Sequence, residues 1–159
     1  SAVVSNRSAQ QADFIKIVQE GQTAAKAAEN DMQRGGHLAT RGKALCSLLQ
    51  SKKVANWTGW VDTVDSNSDG KGVLAIKVAK DIHLETWNNA LSDIMDETLL
   101  EPGSPIFNAA SALKKRQEVK FSGEFITDET HCLGEQSLSL DGKISDPEFT
   151  FRFSEVSPL

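Results

Sequence analysis

The run Asp65-Ser66-Asn67-Ser68-Asp69-Gly70 holds the residues most obviously suited to chemistry in this chain. Oxygen-bearing side chains alternate at Asp65, Asn67 and Asp69, and Gly70 permits a sharp turn, which is the first half of a calcium-binding loop. The bidentate acid that such a loop needs at its twelfth position is missing, because Ile76 stands there. Asp, Asn, Ser and Gly are also the residues of a solvated hairpin connection. The expectation is a plain turn with no cofactor, and calcium at Asp65, Asn67 and Asp69 is the weaker alternative.

Tryptophan and asparagine supply the other candidate chemistry. Indole faces stack on bases or sugars and amide groups bond their edges, so Trp60, Trp87, Asn88 and Asn89 are candidate ligand-binding residues. Packing of these rings against a core is the competing reading. Asp93, Asp96 and Glu97, and Asp128 with Glu129, could supply acid and base groups, although solvated loop charge accounts for them as well. His37, His83 and His131 fall in no metal or catalytic spacing and read as surface or loop residues. Ser104 lacks the flanks of a nucleophile elbow, and no glycine loop for phosphate is present. No catalytic residue is assigned and an enzyme is not expected; a hydrolase using acidic loop residues ranks third among the functions.

The length of 159 residues suits one domain, and 39% hydrophobic with 25% charged residues is ordinary for a globular protein. A net charge of −5 disfavours a general phosphate-binding surface, leaving Lys114-Lys115-Arg116 as the one contiguous basic run. No apolar run is long enough to span a bilayer. The chain opens at Ser1 without Met, and a mature form that a leader or anchor preceded is expected. Cys46 and Cys132 stand far apart outside any metal or redox motif. They are either free thiols or a single staple between the helical lead-in and a late β segment.

These residues need elements to position them. Phe14, Val18, Gly21, Ala25, Ala28 and Met32 recur at helical spacing, predicting an amphipathic helix from Ser8 to Arg34 that Gly35 and Gly36 break. A second helix is expected from Leu38 to Leu49. The period then changes to alternation. Strands are predicted at Ala55 to Val64 and Val73 to Lys80, continuing through Ile82 and Leu84, with Trp57 facing in and Trp60 out. Trp87 to Glu101 has no clean period. Ser104-Pro105 caps a short helix, Val119 to Phe125 alternates as a strand, and Gln136 to Phe153 reads as a closing hairpin turning at Asp141-Gly142.

The fold class that follows is α+β, mainly β: a small barrel of five to six strands, OB-fold-like, with N-terminal helices packed against it. It forms a single domain over residues 1–159, with a helical lead-in at 8–50 and the barrel at 54–155. Gly59 and Gly123, in mid-strand, suit sharp bends.

The segments KALCSLL, NWTGWVDTVDSNSDGKGVLAIKV, TWNNALSD, TLLEPGSPIF, VKFSGEF, CLGEQS and PEFTFRF together resemble a bacterial family of small exported or membrane-anchored proteins of unassigned function. The likeness runs from Phe14 to Phe153. In architecture the chain is also similar to nucleic-acid-binding lipoproteins with an OB-like barrel. The resemblance implies a periplasmic or cell-surface location and a Cys46–Cys132 disulfide, and it brings no catalytic residues. The expected function is a non-enzymatic binding module of the cell envelope, with a protein or another envelope component as partner. Binding of single-stranded nucleic acid or oligosaccharide by the barrel face is the alternative.

Overall fold

Two long helices lead into the sheet, and a polar residue sets where each begins. The computed structural model describes residues 1–159. A short turn, α1 (Ala2–Ser5), precedes α2 (Ala9–Ala27), where the Ser8 side chain accepts a hydrogen bond from the Gln11 amide. The Asn30 side chain starts α3 (Asp31–Leu48) in the same way, accepting from the Gln33 amide. This corrects the expected break at Gly35 and Gly36. The chain breaks instead at Ala28 to Asn30, and both glycines continue α3. A helical glycine costs about 1 kcal/mol relative to alanine, a penalty that the cap and the buried face at Leu38 and Leu45 override. Met32, expected on the apolar face, is 89% exposed because the new boundary turns it outward.

After α3 the chain forms β1 (Lys53–Ser66), β2 (Gly72–Ala79) and β3 (Ile82–Glu85), an antiparallel meander. Helix α4 (Pro105–Ser111), capped by Ser104 as expected, leads to β4 (Glu118–Phe125). Then come a small hairpin of β5 (Thr127–Asp128) and β6 (Cys132–Leu133), a helical turn α5 (Leu140–Ser145), and β7 (Glu148–Pro158). Strand β4 pairs antiparallel with β1, while β7 lies antiparallel to β4 and parallel to β3. The order β1-β2-β3-β7-β4 therefore returns to β1 as a closed barrel. The parallel β3–β7 pair makes the main sheet mixed, and the count of five strands in it and the α+β class agree with expectation. The weighting toward β does not, since helix and strand each take roughly a third of the chain.

The expected hairpin at Asp141-Gly142 is also corrected. Ser139 Oγ accepts from the Gly142 amide at 3.0 Å and starts α5 there. Only one bridge, Glu135 with Phe149, remains of that pairing, and β7 takes its neighbours from β3 and β4.

The core fills from both ends of this arrangement. Phe14 of α2 is fully buried and meets Trp57, Phe125 and Phe149 at ring distances of 5.2, 5.4 and 5.3 Å. Val61, Ile76, Phe121, Phe151 and Phe153 line the same interior, so the strand phases read from alternation hold. Gln11 docks α2 on β1 by imitating a strand partner: its amide donates to Thr58 O at 2.6 Å and accepts from Thr58 N at 2.9 Å. Gly59 and Gly123 sit where backbone crosses closely. A Cβ on Gly59 would meet Ile76 Cγ2 at 2.5 Å, and one on Gly123 would collide with Arg152 O.

A disulfide joins Cys46 of α3 to Cys132 of β6, with Cα atoms 5.6 Å apart. No helix is long and apolar enough to cross a membrane.

Candidate ligand face

Trp60 projects from the outer side of β1, opposite in phase to the buried Trp57. Its cross-strand neighbours are Lys77 on β2 and Glu118 on β4. The Lys77 ammonium lies 5.7 Å from the centre of the Trp60 ring, within cation–π range. Around this pair opens a concavity of about 770 Å³. Arg7 reaches it from the link between α1 and α2, anchored by donation to Val78 O at 3.0 Å. Lys80 enters from the β2–β3 turn, and Lys115 and Arg116 from the segment after α4. The Arg116 amide is held by Val61 O at 2.7 Å. Five cations thus line the concavity with one carboxylate, Asp62, while Glu118 flanks the outward indole from β4.

Asp62 also borders an acidic cluster on the adjoining strands. Parallel pairing of β3 with β7 sets His83 opposite Glu148, two residues before Glu85. Burial, and then the Glu148 carboxylate beside it, push the Glu85 carboxyl up to about 8, with Asp62 and Asp146 adding to the effect. His83 sits in the strand, its Nδ1 3.5 Å from Asp146 and its Nε2 3.9 Å from Asp62. It lies in the strand continuation expected through Ile82 and Leu84, and is half-buried. The outer surface thus gathers cations around Trp60, from β2 and the neighbouring links, and carboxyl groups around His83, at Asp62, Glu85, Asp146 and Glu148.

The other expected ligand residues lie elsewhere. Trp87 lines a separate cavity of about 210 Å³, its Nε1 donating to Asp96 Oδ2 at 2.7 Å. Asn89 Oδ1 accepts from the Ser92 amide at 2.8 Å and its Nδ2 donates to Asn88 Oδ1, so these amides are occupied with their own loop. The structure does not bring Trp60 and Trp87 into one site. Beside the Trp87 cavity, Arg41 and Glu135 form a buried ion pair at 2.7 Å, with Glu135 held above the usual carboxylate range by burial against the opposing pull of Arg41.

Of the acidic residues singled out in the sequence, Asp93, Asp96 and Asp128 have structural tasks. Asp93 is buried and accepts from the Thr98 amide, the Thr98 hydroxyl and the Leu99 amide at 2.7, 2.6 and 2.9 Å, which corrects its reading as solvated loop charge. Asp128 Oδ2 accepts from the amides of Thr130 and His131. In the β1–β2 loop, Asn67 Oδ1 accepts from the amides of Asp69 and Lys71 at 3.0 and 2.9 Å, and Asp65 Oδ1 from that of Ser66. These oxygens serve the turn.

Sequence reasoning found Trp60 and the Lys115-Arg116 corner of the cationic face but missed Arg7, Lys77 and Lys80. The outward phase of Lys77, one rung from Trp60, was the available signal. In comparisons with known proteins, no family and no curated protein matches this chain.

Proposed function

We propose that this chain is a non-enzymatic binding module of the bacterial cell envelope, and that it holds single-stranded nucleic acid on the Trp60 face of an OB-type barrel. The observation that carries the reading is the gathering of Arg7, Lys77, Lys80, Lys115 and Arg116 around an outward tryptophan, in a chain whose net charge is −5. Diffuse basicity is absent, so the concentration of cations at one ring is local. Phosphates supply the anionic partner and bases supply faces for the indole, the combination used by sequence-tolerant single-strand binders. Three features support the OB type: the strand order β1-β2-β3-β7-β4, the parallel β3–β7 pair, and the helix between β3 and β4. The disulfide supports export to an oxidising compartment.

Tryptophan fluorescence titrated with a single-stranded oligonucleotide at low salt tests this. Saturable quenching is expected, with log affinity falling against log salt at a slope of about −3.5 if all five cations meet phosphates. Trp60→Ala should weaken binding by about 1 to 3 kcal/mol, or about 5- to 150-fold, without lowering the melting temperature, since this ring lies outside the core. Absence of saturable quenching, or equal binding by Trp60→Ala, refutes the assignment.

A further inference from the structure

The connection between β3 and α4 presents three large apolar side chains to solvent: Leu91, Ile94 and Met95 are 81, 65 and 86% exposed. They come from one short stretch of chain, whereas the other exposed large hydrophobics are scattered singly. Scattered ones need no explanation, but a cluster does.

The stretch is held from beneath. Asp93 is buried with three hydrogen bonds to Thr98 and Leu99, and the Thr98 hydroxyl in turn accepts from the Trp87 amide at 2.8 Å. Asp96 holds Trp87 through its side chain, and its carbonyl accepts from the Arg152 guanidinium. These bonds fix the loop in the free protein with its apolar side chains turned outward. Such preorganisation strengthens binding of whatever covers the loop.

The shape and charge beside it restrict the occupant. A groove of about 510 Å³ is lined by Ala90, Ile94 and Leu99 together with the carboxylates of Asp93, Glu97 and Glu101. Lys71 also borders it but is tied to Glu101 at 2.9 Å, which leaves Glu97 as the unneutralised exposed charge. An apolar lining with acidic groups in it complements a helix that has an apolar face flanked by lysine or arginine. It repels an anionic lipid surface and the same patch on a second copy.

We propose that the Leu91–Met95 loop and its groove are a docking site for a cationic amphipathic helix of another protein. The site lies outside the Trp60 pocket and shares none of its lining residues.

Calorimetry of the whole chain with a synthetic leucine–lysine amphipathic helix about five turns long tests this. Its controls are a scrambled peptide of the same composition, neutral lipid vesicles, and sedimentation of the protein alone. Saturable one-to-one binding of the amphipathic peptide is expected. It should weaken at least about tenfold in Leu91→Ser/Ile94→Ser/Met95→Ser, which changes no charge, and also in Glu97→Lys, while Trp60→Ala leaves it unaltered. These side chains are exposed, so the melting temperatures of the variants should match the parent. No saturable binding, equal binding of the scrambled peptide, or equal binding by the triple serine variant overturns the proposal. Self-association or vesicle binding that the triple serine variant abolishes overturns it too, by assigning the loop to a second copy or to lipid.

Discussion

Glu85 holds its proton up to about pH 8 in the folded protein, because it is half-buried beside Glu148, whereas its ordinary value is 4.5. Between those values the folded state binds more protons than the unfolded chain. The contribution to stability is therefore complete below about pH 4.5 and is lost as pH rises through 8. Glu85→Gln has no proton to release. Its melting temperature should decline less than the parent's between mildly acidic and mildly alkaline buffer, and parallel curves for the two proteins would refute the carboxyl pairing. Alternation made single residues such as Trp57 and Trp60 legible, because each strand position has only two directions to face. The Glu85–Glu148 and Arg41–Glu135 contacts were not legible, since each joins segments far apart in sequence, and Arg41 and Glu135 are 94 residues apart. No local period records such a meeting.

At the scale of elements, α3 carries the clearest departure from sequence expectation. Gly35 and Gly36 stand in mid-helix, and nothing lies within 4 Å of where a Cβ would be on either. Alanine at each should stabilise the protein by up to about 1 kcal/mol, additive to within a few tenths only if the neighbours do not couple. Urea unfolding of Gly35→Ala and Gly36→Ala measures this, and a lowered midpoint would mean that the helix needs those glycines for something not visible in its packing. Strands β1, β2 and β4 and helix α4 were readable because a period or a cap is a local signal. The α2–α3 boundary was misplaced because Asn30, a good cap, competes with two glycines that are stronger breakers only in isolation. Helix α5 was hidden because Asp141-Gly142 suits a hairpin turn as well as a first helical turn, and Ser139 decides between them.

Across the whole molecule, the disulfide closes a loop over a sequence separation of 86 and ties the helical lead-in to the segment carrying β6. On the chain-entropy account a loop of that length is worth about 4 to 5 kcal/mol. Replacing Cys46 and Cys132 by Ala should lower the urea midpoint accordingly, with the parent in reductant behaving alike; an unchanged midpoint would make the bond incidental. Net charge is silent about distribution at this scale, because a sum of −5 coexists with five cations gathered at Trp60. Only the folded arrangement of the α1–α2 link, β2 with the turn after it, and the α4–β4 link reveals them.

Strand β7 joins β3 to β4 and follows both in the chain. Until residues 148–158 have emerged from the ribosome, or from a pore threading the chain, Phe149, Phe151 and Phe153 cannot reach the core and two strands each lack a neighbour. Closure of the barrel thus waits on the last of its five strands. A polypeptide that stops short of β7 leaves the edges of β3 and β4 open to any other strand that can pair with them.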